Sequence, residues 1–203
     1  TNDMGQSVAI DWPYLAVGIP SMHFEGDPSS DTAPGIVQIY RYHDAPTDAF
    51  LLLTTISDPW EGSSGNSGFG SVLDIDFRDG GSGAILVVAD PHESNPSATG
   101  FGTAYLYLVS TSGAQMFDYI EGVDGDSLGQ FGSAVDLDGG LLAIMDPSDS
   151  TATGSGAAVS IYRNPNWPFS GPFTLEAKVY SPTPSDLDFF GYALAINSDL
   201  EVL

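Results

Sequence analysis

Phe69-Gly70-Ser71-Val72-Leu73-Asp74-Ile75 is the stretch that decides the fold, because the same seven-residue pattern occurs three more times. The other copies are Met4-Gly5-Gln6-Ser7-Val8-Ala9-Ile10, Phe131-Gly132-Ser133-Ala134-Val135-Asp136-Leu137 and Phe190-Gly191-Tyr192-Ala193-Leu194-Ala195-Ile196. Their glycines, which we call the anchor glycines, are separated by 65, 62 and 59 residues. A period of this kind indicates a repeat architecture in which each copy is one structural unit.

Further short apolar runs follow each copy, and Gly, Pro, Asp and Ser bound them. The second run ends at a proline and the third ends in tyrosine: Leu15–Pro20, Leu86–Pro91 and Leu142–Pro147, then Gly35–Tyr40, Gly102–Tyr107 and Val159–Tyr162. A looser fourth run, such as Leu51–Ile56, precedes the next anchor. Short runs rich in Val, Ile, Leu and Tyr between turn residues are typical of strands, and no segment keeps a helical period.

Four strands in each repeat predict the fold class. We expect an all-β chain, a β-propeller built of four-stranded antiparallel blades. The approximate blades are 1–65, 66–127 and 128–186, with a truncated fourth blade at 187–203. Since propellers close with roughly 4 to 8 blades, these three and a half blades predict a partial propeller, a piece of a longer one.

The charge balance excludes several classes of function. Asp and Glu total 27 against 4 Lys and Arg, which gives a formal net charge of -23. Such a surface repels phosphate backbones and anionic lipid head groups, so we predict no nucleic-acid partner and no direct membrane insertion. Cysteine is absent, which excludes disulfides and thiol chemistry.

The motifs as a set resemble the FG-GAP repeat, which is found in integrin α-subunit propellers and in many surface proteins. The likeness covers the whole chain and is clearest in Leu15–Pro20, Gly35–Arg41, Phe131–Ser133 and Ile161–Arg163. One departure is Ala89-Asp90-Pro91, where the family has Gly-Ala-Pro. The resemblance implies a propeller and an extracellular or cell-surface location.

The resemblance also implies calcium, because integrin-like blades often wrap this cation between their first two strands with spaced Asp and Asn oxygens. The nearest counterpart is the loop with Asp74, Asp76 and Asp79, and the segment from Gly70 to Pro91 is six residues longer than its equivalents. Against calcium, the third acid is displaced by one position, and Arg78 stands where a ligand is expected.

Several other polar residues have a simpler interpretation as turn or loop residues. Asp11, Asp138 and Asn197 occupy the position of Asp76 in the other repeats, where a short side chain that caps its own backbone favours a tight turn. Asp124 and Asp126 are interpreted as a solvated loop. We expect the three histidines, His23, His43 and His92, to be exposed loop residues.

No nucleophile elbow or metalloprotease motif is present in the sequence, so we predict that the chain is not an enzyme. The alternating tyrosines are expected to pack between blades: Tyr40, Tyr42, Tyr105, Tyr107 and Tyr162. Trp12, Trp60 and Trp167 fall in turns or loops and are the candidates for surface contacts.

Two functions remain open at this point. The first is a non-enzymatic extracellular module for adhesion, matrix or fibre assembly, which contacts a protein, a glycan or further blades of the same propeller. The second is a propeller accessory domain of a larger secreted enzyme, such as a hydrolase, whose catalytic part lies outside this chain. Sequences that flank this chain would separate the two.

Overall fold

A computed structural model gives the structure, and it describes residues 4–21, 34–60, 68–77, 83–92, 102–122, 130–147, 149–151, 154–167, 171–182 and 190–198. These residues contain fourteen strands and no helix. The strands are β1 Ser7–Asp11, β2 Tyr14–Ile19, β3 Ile36–His43, β4 Ala49–Ser57, β5 Val72–Phe77, β6 Ala84–Asp90, β7 Thr103–Ser110, β8 Gly113–Glu121, β9 Val135–Asp138, β10 Leu141–Asp146, β11 Ser150–Thr151, β12 Gly154–Ser155, β13 Ala158–Arg163 and β14 Thr174–Tyr180.

The strands form three four-stranded antiparallel sheets, one for each of the first three repeats. The first sheet has the order β1-β2-β3-β4, the second β5-β6-β7-β8, and the third β9-β10-β13-β14. The predictions of an all-β chain and of four antiparallel strands per repeat are therefore confirmed. A small hairpin that was not predicted, β11-β12, lies between β10 and β13, and residues 190–198 of the fourth copy contain no strand.

The anchor glycines all adopt a left-handed backbone conformation. Their φ angles are +85° at Gly5, +87° at Gly70, +93° at Gly132 and +85° at Gly191. A residue with a Cβ atom is strained in this region, which explains why glycine recurs there. The turn also directs the amide toward the end of the second strand, as where the Gly70 N–H donates to the carbonyl of Ala89 (3.2 Å).

The phenylalanine before the second and the third anchor glycine fills the space between two sheets. Phe69 is fully buried in a cluster that joins Tyr14, Ala16, Val37 and Ile39 of the first sheet to side chains of the second sheet. Phe131 occupies the same place between the second and third sheets, and Phe190 packs against the outer face of the third. From the second repeat onward, this phenylalanine therefore packs against the repeat before it.

The second sheet is covered on both faces. All seven residues of β6 are buried, because alternate side chains contribute to the core with the first sheet and to the core with the third. A strand buried on both faces is expected to be a continuous apolar run rather than an alternating one. The predicted packing of Tyr105, Tyr107 and Tyr162 in these cores is confirmed.

Candidate functional sites between and outside the sheets

The first strands of the three sheets, β1, β5 and β9, lie next to one another although they belong to different sheets. Aspartate side chains connect them, each accepting a hydrogen bond from a backbone N–H of the next repeat. These bonds are Phe77 N to Asp11 Oδ2 (2.6 Å), Leu137 N to Asp74 Oδ2 (2.6 Å), Gly139 N to Asp76 Oδ2 (2.7 Å), Ile196 N to Asp136 Oδ2 (2.5 Å) and Ser198 N to Asp138 Oδ2 (2.5 Å). We call these five residues the aspartate ladder.

The ladder keeps one register throughout. Acceptors lie four or six residues after an anchor glycine, and donors lie five or seven residues after the next anchor glycine. The interpretation of Asp11 and Asp138 as caps of their own turn is corrected here, because their carboxylates accept from the following repeat. The physical reason is that an edge strand in one sheet leaves amides unpaired, and a short anionic acceptor from the neighbouring sheet satisfies them.

One position of the ladder carries alanine. Ala9 is the first-repeat counterpart of Asp74 and Asp136, so it offers no acceptor to the corresponding donor, Ile75 N. That amide instead donates to Oδ1 of its own neighbour, Asp74 (2.8 Å). Asp74 thus accepts hydrogen bonds from two backbone N–H groups, one in its own strand and one in β9.

Asp74 has the clearest electrostatic perturbation in the ladder. The pKa of its carboxyl is raised to about 6, mainly by burial and to a smaller extent by the nearby Asp136 and Asp76 carboxylates. The hydrogen bonds from Leu137 and Ile75 lower the pKa but do not outweigh burial. A buried acid among other acids holds its proton more strongly than an isolated one.

The predicted calcium ligands Asp74 and Asp76 both lie on β5 and face β9, whereas Asp79 lies outside the described residues. Three of the four oxygens of Asp74 and Asp76 accept backbone N–H groups. Calcium takes 6 to 8 oxygen ligands, and no group of three or more acidic or histidine ligands occurs in the part of the chain that the structure describes. These two carboxylates alone do not fit a calcium cage, and the calcium loop stays a prediction.

The three tryptophans occupy different environments. Trp12 and Trp60 are exposed, with 56% and 45% of their surface accessible. Trp167, the third residue predicted as a surface contact, is partly buried: it packs against the core between the second and third sheets and lies beside Gly140. Burial of part of its ring against apolar side chains is favourable. Its role in a surface contact stays a prediction.

The outward face of the first sheet, on the side away from the second sheet, is the largest feature that sequence reasoning missed. Val8 and Ile10 on β1 are 57% and 62% exposed, and with Trp12 they stand at the repeat positions of Leu73, Ile75 and Phe77. Those three counterparts fill the core between the first and second sheets. The sequence repeat could have indicated this face, because it aligns Val8, Ile10 and Trp12 with residues that lie in a core between two sheets.

Two tyrosines predicted to pack between blades also lie toward this outward face. Tyr40 is only partly buried and donates to Gln38 Oε1 (2.8 Å). Tyr42 packs on Trp12, with ring centroids 4.3 Å apart, and its hydroxyl donates to Asp48. That hydrogen bond, more than partial burial or the charge of Asp44, raises the pKa of the Tyr42 hydroxyl.

Buried acids lie at the ends of β6 and β10, where the sequence departs from the Gly-Ala-Pro of the FG-GAP pattern. Asp90 is fully buried, and its Oδ1 accepts from His92 N (2.9 Å). Gly68 leaves room for this side chain, since a Cβ atom there would lie 2.6 Å from the Asp90 Oδ1. Asp146 holds the equivalent buried position in the third repeat. The sequence motif identified Asp90 as a departure from the pattern but did not predict that its side chain is buried.

Comparison with known proteins finds no match to this chain among protein families or curated proteins. Among the described residues there is no helix of the length and apolar character that a membrane span needs. The likeness to FG-GAP repeats thus depends on the sequence motifs alone.

Proposed function

We propose that the three sheets are consecutive blades of an FG-GAP-type β-propeller, and that the protein is a non-enzymatic extracellular or cell-surface module for adhesion or structural assembly. The observation that carries the proposal is the constant register of the aspartate ladder from each repeat to the next. A step that is repeated with one register is what consecutive propeller blades require, because blades repeat radially around a common axis. Propellers host many functions, so the architecture by itself does not assign one.

The outward face of the first sheet supports the assembly role. Val8 and Ile10 repeat the apolar pattern of Leu73 and Ile75 but are left in solvent. Ile10 and Trp12 also stand at the two donor positions of the ladder, where a neighbouring sheet supplies carboxylates. The occupant proposed for this face is therefore a further four-stranded sheet of the same kind, with acids at the ladder positions.

Association in solution tests the assembly role. We expect sedimentation equilibrium to show concentration-dependent association of the chain, and Ile10→Asp to abolish it by placing a charge in the contact. Met116→Asp is the matched control, because Met116 is also an exposed apolar residue but lies on the outer strand β8. Association that Ile10→Asp leaves intact would overturn the proposed role of this face.

Contact with a protein or glycan partner is the adhesive part of the proposal. Trp60 follows β4, and its backbone N–H is held by Asp58 Oδ1 (2.9 Å) while the ring remains exposed. Exposed tryptophans supply large contact area and are enriched at binding hot spots. Panels of immobilised glycans and matrix polypeptides test this part: we expect a ligand whose binding Trp60→Ala weakens and Met116→Ala preserves. Hydrolysis of a panel member by the chain would contradict the non-enzymatic assignment.

A further inference from the structure

A cleft of about 210 Å³ lies where the first sheet meets the second. Its lining includes Pro13 and Tyr14 from the first hairpin, Phe77 from the end of β5, and Ser110 and Thr111 from the turn between β7 and β8. Gly83, which precedes β6, and Arg41 from β3 complete it. The cleft is separate from the outward face of the first sheet, because it opens on the side that faces the second sheet.

Arg41 stands in an unusual place for a cation. It follows Val37 and Ile39 on the same face of β3, and both of these residues are fully buried in the core between the sheets. The aliphatic part of the Arg41 side chain therefore continues the line of apolar side chains on this face of β3, and its guanidinium lies at the edge of that core. The Arg41 Nε is buried and has no hydrogen-bond partner.

The two other cations that the structure describes are both paired. Arg163, at the corresponding repeat position in the third sheet, contacts Glu176 (2.7 Å), and Lys178 contacts Asp149 (2.7 Å). Within the ranges that the structure describes, Arg41 makes no ion pair, although the chain has 27 acids and only four cations. The buried Nε is out of reach of an outside ligand, but the guanidinium has further N–H donors on its terminal nitrogens, and without an ion pair these are suited to an acceptor from outside.

We propose that this cleft binds the carboxylate of a small sugar acid, with Arg41 as the residue that holds it. A guanidinium offers parallel N–H donors that match the two oxygens of a carboxylate. Tyr14 and Phe77, with ring centroids 5.8 Å apart, give an apolar wall for a sugar ring. The hydroxyl of Thr111 provides a partner for a sugar hydroxyl, whereas the hydroxyl of Ser110 is already hydrogen-bonded to Ser112.

The charge and the size of the site restrict the ligand further. A net charge of -23 opposes anions at long range, and the opposition is stronger for a dianion such as phosphate than for a monocarboxylate. The cleft is smaller than the roughly 300 to 1,000 Å³ that drug-sized ligands occupy, so a single sugar acid is the appropriate size. The inference does not depend on the proposed propeller, because all lining residues lie in the first two sheets.

Nuclear magnetic resonance titration of the whole chain tests the site. Glucuronate is the probe, methyl glucoside is the neutral control, and phosphate is the dianion control. We expect glucuronate to shift the Arg41 Nε–Hε signal and the Thr111 amide in a saturable way, while methyl glucoside and phosphate shift neither. Arg41→Gln should weaken glucuronate binding by a factor on the order of ten or more, because a charge-assisted hydrogen bond is lost.

Two further variants make the result specific. Arg41→Lys keeps the positive charge but not the planar fork, and we expect it to bind more weakly than the unaltered chain. Arg163→Gln removes a cation that is already paired with Glu176, and we expect it to leave glucuronate binding unchanged. Glucuronate binding that survives Arg41→Gln, equal shifts from methyl glucoside, or no saturable shift would each overturn the proposal. None of these outcomes bears on association through Ile10.

Discussion

At the scale of single residues, backbone conformation and buried charge explain the recurring motif. The anchor glycines adopt φ angles near +90°, which only glycine enters without strain. Aspartates four and six residues later carry their charge between the sheets rather than into solvent. The motif therefore combines a left-handed turn, which requires glycine, with hydrogen-bond acceptors for the next repeat, which are aspartate carboxylates.

Alanine at the anchor glycines separates conformational strain from packing. Gly5 and Gly70 have φ angles of +85° and +87°, but a Cβ atom at Gly5 meets nothing within 4 Å, whereas at Gly70 it lies 3.0 Å from Val37 Cγ2. We expect Gly5→Ala to cost about 1 to 2 kcal/mol of unfolding free energy from strain. Gly70→Ala should cost about 1 kcal/mol more, since overpacking adds to strain. Urea unfolding measures both, and equal losses would contradict the packing component.

The carboxyl of Asp74 is expected to titrate near pH 6. Its pKa is raised from 3.8 to about 6, so between these values the folded chain holds a proton that the unfolded chain releases. The contribution of Asp74 to stability therefore falls as pH rises through this window, by up to about 3 kcal/mol. Asp74→Asn has no carboxyl to titrate at this position. As the pH rises from 4 to 7, the unfolding free energy of the variant should therefore increase relative to that of the unaltered chain. Parallel pH curves would exclude the effect.

Metal removal tests the predicted calcium loop of Asp74, Asp76 and Asp79. A bound ion stabilises the folded state, by about 2.7 kcal/mol when its free concentration is 100 times the Kd. We expect calcium to raise the Tm relative to EDTA, and Asp79→Ala to remove that rise. Asp44→Ala, a change of an exposed acid in another loop, should preserve it. An equal Tm in calcium and in EDTA is the result that excludes the site.

At the scale of strands, the ladder replaces hydrogen bonds that sheet pairing cannot supply. β1, β5 and β9 each have one partner strand in their own sheet, and their other edge faces the neighbouring repeat. Side-chain carboxylates from the preceding repeat accept from backbone N–H groups of β5, of β9 and of residues 196 and 198, at spacings of 60 to 66 residues. Unpaired edge amides are a liability in β-proteins, and here they position the next sheet.

Removal of one ladder carboxylate should weaken one contact between repeats. Asp76→Ala deprives Gly139 N of its acceptor, and we expect a loss of about 1.5 to 3 kcal/mol, the range for hydrogen bonds to charged groups. Hydrogen exchange at the Gly139 amide should accelerate, while the Leu137 amide, held by Asp74, changes less. Asp44→Ala is the control for loss of charge alone. Unaltered exchange at Gly139 would show that the ladder bond is not formed in solution.

At the scale of the whole molecule, burial is distributed unevenly among the three sheets. The second sheet contributes to a core on each side, and the third is covered on its outer face by Phe190 and Leu194. Val8 and Ile10 of the first sheet remain exposed on the face away from the second. Aspartate at equivalent positions should therefore have unequal effects.

Ile75→Asp and Ile10→Asp are matched by repeat position but differ in burial, at 5% and 62% exposure. Ile75→Asp places a charge in the core between sheets, and we expect it to cost more than about 4 kcal/mol. In dilute solution Ile10→Asp should change the unfolding free energy by about 0.5 kcal/mol or less, as exposed positions do. Chemical denaturation of both variants checks this, and a large loss in Ile10→Asp would show that the face is already covered.

Sequence and tertiary structure determined different things in this protein. The repeat period, the four strands of each sheet and the anchor glycines follow from sequence, because alternation of side chains and backbone sterics are local properties. Only the fold decided the acceptor roles of Asp11 and Asp138, the partial burial of Trp167 and the lack of a hydrogen-bond partner for the Arg41 Nε. Their partners or surroundings come from segments distant in sequence, and only the packing of one sheet on the next brings those segments within hydrogen-bond and van der Waals distance.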